Sequence, residues 1–268
     1  MFLDEKMLAN HKVVAIIQAR MTSSRLPKKV MKIIAGKPML GHVINRVTSS
    51  QIVDEVLIAT TTDETDDEIE KFCKLHNYSC FRGHPFDVLD RYYQAAKRCK
   101  ADVIVRITGD CPLMDSSLID TLLEDFIDSK VDFAANRLPP PWKRTYPIGL
   151  DIEIVRFQAL EKAWKEANSQ FEREHVMPYL YDLPGRFKIL LKHHDPDYGI
   201  KRWTVDTPQD LEFVKRIFDH FSPRLDFSWK EVIQFLEANP ELEQINVSIN
   251  AKLVDDVDNR YVDRNKAQ

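Results

Sequence analysis

Apolar residues along this chain fall into short continuous runs separated by stretches of helical spacing. The run VVAIIQ from Val13 is rich in β-branched residues and predicts a buried strand that breaks at Ala19-Arg20. Leu40, Val43, Ile44 and Val47 then recur at helical spacing, and Val53 to Thr60 predicts a second strand ending in Thr60, Thr61 and Thr62. Asp63 to His76 predicts an amphipathic helix whose first turn is acidic, as a helix amino terminus prefers. A short third strand over Tyr78 to Phe81, a helix over Asp87 to Lys100 and a fourth strand over Val103 to Ile107 come next. Strand and helix alternating at such intervals predict a parallel sheet with helices on both faces, a three-layer α/β sandwich.

The second half is less regular. Ser116 to Ser129 predicts a helix and Val131 to Ala134 a strand, after which Asn136 to Trp142 is too rich in proline for either. Tyr146 to Ile154 alternates apolar and acidic residues, as a half-buried strand does, with Asp151 and Glu153 on one side. Helices are predicted over Phe157 to Asn168, Phe171 to Tyr181 and Leu211 to Phe221, with a strand near Phe187 to Lys192. The boundaries drawn are a tail over 1–11, a main domain over 12–221, and a helical appendage with a polar tail over 222–268.

Charge changes the picture in one place. The net charge of the 268 residues is -4, which gives no global footprint for nucleic acid. Yet Arg20, Arg25, Lys28 and Lys29 share the loop after the first strand, and no acidic residue stands between Glu5 and Asp54. In an open parallel sheet the ligand crevice lies beyond the carboxyl ends of the strands, so this loop predicts a phosphorylated ligand. The seven glycines include no G-x-G spacing, so phosphates must be held by side chains rather than by a glycine-rich loop. Asp110, at the turn ending the fourth strand, and Asp206, before Pro208, fall at the same rim. Each has a plainer reading, as a turn residue and a helix cap. The four cysteines make no C-x-x-C pair, the amino-terminal residues are charged rather than apolar, and no run approaches the ~20 residues of a membrane span, so a cytoplasmic protein with no membrane partner is expected.

The loop Ala19-Arg20-Met21-Thr22-Ser23-Ser24-Arg25-Leu26-Pro27-Lys28-Lys29 resembles the signature A-R-x-x-S-S-R-L-P-x-K of the sugar cytidylyltransferases, which include the CMP-sialic acid synthetases and the 3-deoxy-manno-octulosonate cytidylyltransferases. Thr108-Gly109-Asp110-Cys111-Pro112-Leu113 and Val205-Asp206-Thr207-Pro208-Gln209-Asp210-Leu211 resemble two further segments of that superfamily. Phe81-Arg82-Gly83 with Asp87 to Tyr93, and Arg173-Glu174-His175-Val176 with Pro178-Tyr179, resemble runs of the spore coat polysaccharide biosynthesis protein F group, with Met177 in place of a threonine.

The resemblance implies the Rossmann-like nucleotide-diphospho-sugar transferase fold (GT-A-like), CTP and a small sugar substrate as partners, Mg2+ as cofactor, and a homodimer. It implies that Arg20, Arg25 and Lys29 grip the triphosphate and that Asp110 and Asp206 hold the metal, so that Arg20, Lys29, Asp110 and Asp206 are the catalytic set. Ala19, Ser23, Thr60, Thr61 and Thr108 are expected nucleotide contacts. Arg82, Asp90, Asp151, Glu153 and His175 are candidate sugar contacts, though Arg82 could equally brace the fold against Asp87 or Asp90, Asp151 and Glu153 could simply be solvated, and His175, a lone histidine between charged neighbours on a helix, could be structural. The expected activity is synthesis of a CMP-sugar, from a sugar acid, with release of pyrophosphate. The alternatives are a glycosyltransferase of the same fold and a non-catalytic nucleotide-binding protein; Pro112, two residues beyond Asp110, removes the aspartate-x-aspartate pattern that the first would carry.

Overall fold

The computed structural model describes residues 11–249. Apart from His11, the expected amino-terminal tail lies outside them, as do residues 250–268 of the expected polar tail. Seven strands form the main sheet: β1 (Val13–Gln18), β4 (Glu55–Thr61), β5 (Ser79–Gly83), β6 (Val103–Thr108), β7 (Phe133–Ala135), β8 (Glu153–Arg156) and β9 (Ile189–Leu191). A small hairpin, β2 (Ile33–Ile34) and β3 (Lys37–Pro38), stands apart. The helices are α1 (Met39–Thr48), α2 (Asp67–Leu75), α3 (Val88–Cys99), α4 (Ser116–Asp128), α5 (Phe157–Glu166), α6 (Gln170–His175), α7 (Pro178–Tyr181), α8 (Pro208–Phe221) and α9 (Trp229–Ala238).

The strand order is β5-β4-β1-β6-β8-β7-β9. β1 pairs in parallel with β4 and β6, β4 with β5, and β7 with β9, while β8 alone runs against both its neighbours. The sheet is therefore mainly parallel, as expected, with one reversed strand. Successive side chains of a strand point to opposite faces. In β1 this sends Val13, Ala15 and Ile17 into one apolar cluster and Val14 and Ile16 into the other. Helices α1, α4, α8 and α9 cover the first face; α3, α5 and α7 cover the second. A strand buried on both faces has no polar side to show, which is why its sequence reads as an unbroken apolar run.

Helix starts are fixed locally. Asp87 and Asp115 accept from the first-turn amides of α3 and α4, and Thr207-Asp210 and Ser228-Glu231 form capping boxes on α8 and α9. Pro208 occupies the first turn of α8, where its missing N–H costs no intrahelical bond.

Four expectations need correction. The helix over Phe171 to Tyr181 is two short helices, because Pro178 cannot extend α6 and the chain turns at Val176. The strand over Tyr146 to Ile154 shrinks to β8, since the chain before it makes only a single bridge, Ile148 with Arg202. The helix from Asp63 opens as a 3-10 turn over Glu64–Asp66 and becomes α-helical only at Asp67. Beyond Pro223 the chain is part of the same core: Phe227, Trp229 and Val232 join the first apolar cluster, and buried Asn246 donates to Arg202 O and Asp210 Oδ1, both at 3.0 Å.

Candidate active site

The basic loop leaves β1 at the middle of the sheet and is held from below. Met21 and Leu26 are buried, and Lys28 N donates to Met21 O at 3.0 Å, so the loop closes on an apolar foot while its cations point elsewhere. A single carboxylate anchors it. Asp66, 1% exposed, accepts from Met21 N at 2.7 Å, from Thr61 N and Thr60 Oγ1 at 3.0 Å each, and from Thr61 Oγ1. A buried carboxylate satisfied wholly by neutral donors is a scaffold element.

On the opposite side of the loop, Lys29 begins a 3-10 turn and sends Nζ to Asp110 Oδ2 and Asp206 Oδ1, each at 2.7 Å. Asp110 sits in the turn after β6, where Val205 N donates to its backbone O at 2.9 Å, so the segment carrying Asp206 is hydrogen-bonded directly to the turn carrying Asp110. That segment is also pressed against Gly149, which has φ +110° and where a Cβ would lie 2.6 Å from Thr204 N; only glycine fits. Arg202 forks between Asp206 Oδ2 at 2.8 Å and Asp210 Oδ1 at 2.9 Å, and Arg25 reaches Asp206 Oδ2 at 2.9 Å. The helix cap is Thr207, not Asp206, which settles one of the open sequence readings.

The electrostatics follow from this geometry. Burial works against the Lys29 ammonium, but Asp110 and Asp206 together outweigh it and raise its pKa. Burial likewise opposes ionisation of Asp110, and Lys29 overcomes it, holding the carboxyl at about 2. Both groups are therefore charged at neutral pH.

Around this centre lies a cleft of about 900 Å³. Of the expected nucleotide contacts, Ala19, Arg20, Ser23, Arg25, Lys29 and Thr108 line it, and so do Asp110 and Asp206. His175 is the one expected sugar contact that reaches it. It sits at the end of α6, just before Val176, whose φ of 75° and ψ of -55° with Met177 N bonded to His175 O at 2.9 Å make a γ-turn. For a buried β-branched residue that conformation costs roughly 1–3 kcal/mol, and such strain gathers at functional sites.

The remaining candidates do not line the cleft. Thr60 and Thr61 are spent on Asp66. Arg82 braces the rim, donating to Thr61 O and Asp63 O at 2.9 Å and pairing with Asp67 and Glu70 at 2.7 Å. Asp90 accepts from Trp164 Nε1 at 2.8 Å, while Asp87 takes the fork of Arg173. Asp151 is paired with Arg144, and Glu153 with Arg106. The alternation of Asp151 and Glu153 therefore marks two separate ion pairs.

Among the cleft's cations, sequence reasoning missed Arg91 and Arg106. Arg106 lies in β6 with Nη2 on Gln18 Oε1 at 3.1 Å, and Glu153 outweighs burial to raise its pKa. Arg91, 2% exposed, donates to His84 O at 2.8 Å, and Gly83 leaves room for its stem: a Cβ there would meet Arg91 Cγ at 3.0 Å. Desolvation, with Arg20 adding to it, pulls Arg91 down to about 10. The signal was present, because an arginine inside an apolar strand or on the apolar stripe of a helix has no structural reason to be there unless something pairs with it.

The donor set suits a hard divalent cation. Asp110 and Asp206 offer carboxylate oxygens from two elements to one position, already taken by a cationic nitrogen. No group of three or more His, Cys, Asp or Glu among the described residues could hold a metal by itself. Two carboxylates completed by phosphates and water is the usual Mg2+ arrangement.

A mainly parallel sheet that carries a cationic loop after β1 and Asp110 in the turn after β6, with Asp206 on the segment bonded to that turn, has the architecture of a nucleotidyltransferase of the Rossmann-like α/β type. The sequence profile of the Cytidylyltransferase family matches residues 14–253. An uncharacterized protein of Methanocaldococcus jannaschii is 36% identical over 245 residues, 90% of this chain and 97% of its own. The spore coat polysaccharide biosynthesis protein SpsF of Bacillus subtilis is 33% identical over 247 residues, 85% of this chain and 95% of its own. The solved structure of a cytidylyltransferase from Leptospira borgpetersenii superposes with a TM-score of 0.82 at 34% identity, covering 90% of this chain and 99% of that one. The chain belongs to the cytidylyltransferase family.

Proposed function

We propose that this chain is a Mg2+-dependent cytidylyltransferase that transfers CMP from CTP to a hydroxyl of a small sugar, a sugar acid, and releases pyrophosphate, in the cytoplasm and as a homodimer, for the synthesis of a surface polysaccharide or glycan. The observation that carries the reading is the Lys29 ammonium held at 2.7 Å from both Asp110 and Asp206 on the floor of a cleft lined by Arg20 and Arg25. Such a site balances a highly charged phosphate chain with side chains on one rim and supplies carboxylates for a cation on the other.

In this reading the sugar oxygen bonds to the α-phosphorus as the bond to the β-phosphate oxygen breaks. Arg20, Arg25 and Lys29 receive the charge that builds on the departing pyrophosphate, and Ser23 and Thr108 donate hydroxyls to the nucleotide. Mg2+, held by Asp110 and Asp206, would neutralise phosphate oxygens and polarise the reacting centre. Arg106, kept in place by Glu153, and His175, at the strained end of α6, stand on the cleft wall where the acceptor would lie.

The test is pyrophosphate release with each of the four nucleoside triphosphates, with Mg2+, against a panel of sugar acids and sugar phosphates, with Asp110→Ala as control. Release with CTP alone, dependent on one sugar acid and absent in the variant, is the expected result. Transfer from a finished nucleotide-sugar, with no pyrophosphate in any pairing, would replace this reading with that of a glycosyltransferase.

A further inference from the structure

Lys29 occupies the floor of the cleft in a way that bears on the order in which ligands can enter. Its ammonium, on a side chain 13% exposed, stands between Asp110 Oδ2 and Asp206 Oδ1 at 2.7 Å from each. Under the proposed function these two carboxylates hold the divalent cation, and the inference rests on that reading. An ammonium 2.7 Å from both carboxylates fills the space between them, where a Mg2+ ion at roughly 2.1 Å from each would sit, and a divalent ion brought beside Lys29 would be repelled by it. The other oxygen of Asp206 is taken as well, by Arg25 and Arg202.

The cations around Asp206 differ in how freely they can leave. Arg202 is fixed by its fork onto Asp210, which is in turn bonded to Asn246 and to the amides of Asp206 and Thr207. Lys29 is a point charge on a flexible four-carbon stem, and its ammonium is bonded, among the described residues, to the two carboxylates alone. We propose that Lys29 closes the metal position in the nucleotide-free enzyme, and that the triphosphate opens it by drawing the ammonium onto its own oxygens. Metal therefore binds only with or after the nucleotide. Lys29 carries one charge for both occasions: it balances the carboxylates in the empty enzyme and the phosphates in the loaded one.

The probe is Mn2+ alone, titrated into the nucleotide-free full-length protein and followed by the electron paramagnetic resonance of the unbound ion. Wild type and Lys29→Arg are expected to bind it weakly. Lys29→Met is expected to bind it at least about tenfold more tightly, because removing one adjacent charge at effective dielectric constants near 20 is worth more than one decade. Adding Asp110→Asn to Lys29→Met removes the gain. In a second arm, the α,β-methylene analogue of CTP, which cannot be cleaved, is expected to bring tight Mn2+ binding to the wild type.

Mn2+ binding to free wild type as tight as to Lys29→Met overturns the proposal, and so does an analogue that binds by calorimetry without improving Mn2+ affinity. If circular dichroism finds Lys29→Met unfolded, the two wild-type titrations still decide. An analogue that does not bind at all would count against the nucleotide reading instead, and the nucleotide-free titrations would stand apart from that failure.

Discussion

Two carboxylate centres flank the basic loop, and they are built on opposite principles. Asp66 is sealed at 1% exposure and is satisfied entirely by backbone amides and threonine hydroxyls. Asp110 and Asp206 stand on the floor of the cleft and are balanced by Lys29, Arg25 and Arg202. Neutral donors fixed by the fold have nothing to exchange, so the first centre holds the loop in place. Cationic side chains can be recruited by a more highly charged ligand, so the second centre can work. What separates the two is who supplies the compensating donors, not how much charge is buried.

The most demanding test of this contrast is Asp110→Ala. Transfer should fall by on the order of a thousandfold, as expected when an electrostatic partner of the transition state is removed, while the melting temperature moves by no more than a few degrees, because Asp206 still holds Lys29. A large loss of stability in that variant would place Asp110 with the scaffold instead. Asp66→Ala should reverse the pattern: about 3 kcal/mol of unfolding free energy lost in a urea titration, from several buried donors left without an acceptor, with any loss of activity following the disordered loop.

The scaffold beneath the cleft should also fail first in alkali. Tyr92, 0% exposed, donates to Ile16 O and Ile107 O at 3.3 Å, and burial raises its hydroxyl to about 12 from an ordinary 10.0. Between those two values the unfolded chain releases this proton and the folded one keeps it, so the unfolded state gains and stability falls with rising pH. The loss should reach about 2 to 3 kcal/mol across the window, and Tyr92→Phe should flatten that limb of the stability curve. The smallest effect is expected at Arg82. Its partners Asp67 and Glu70 are half exposed, so Arg82→Ala should cost about 1 kcal/mol and leave the CTP dissociation constant, measured by calorimetry, within about threefold of wild type. A much larger weakening would return Arg82 to the ligand.

How far the sequence could be read depended on whether a residue's role is set by the pattern around it or by a contact that only the fold makes. The parallel half of the sheet was legible because β1, β4 and β6 are apolar on both faces and end in polar turns, and Arg20, Arg25 and Lys29 were legible because their shared loop contains no acidic residue. The reversal of β8 was not, since strand direction is set by pairing and leaves no trace in four residues. Thr60, Thr61, Asp90, Asp151 and Glu153 show what such a pattern leaves out. Each is polar at a strand end or first turn, as a site residue would be, and each is taken by a partner that the sequence does not point to: Asp66, Trp164, Arg144 or Arg106. Arg91 and Arg106 escape a reading by apolar pattern because they sit within apolar elements, where their charge is the exception to be explained.

The reversed strand has a consequence for which parts of the rim are free to vary. Since β7 runs with β6 and β8 runs against both, β7 ends and β8 begins on the cleft side of the sheet, and the connection over residues 136–152 turns back at that rim rather than crossing the sheet. Its exposed tip over residues 140–143 can lengthen or shorten freely, but its far end cannot, because Ile148 bridges Arg202 and Gly149 packs on Thr204 in the segment that carries Asp206. A lineage could edit the tip alone and leave the nucleotide machinery as it found it, whereas an edit at Gly149 would reach Asp206.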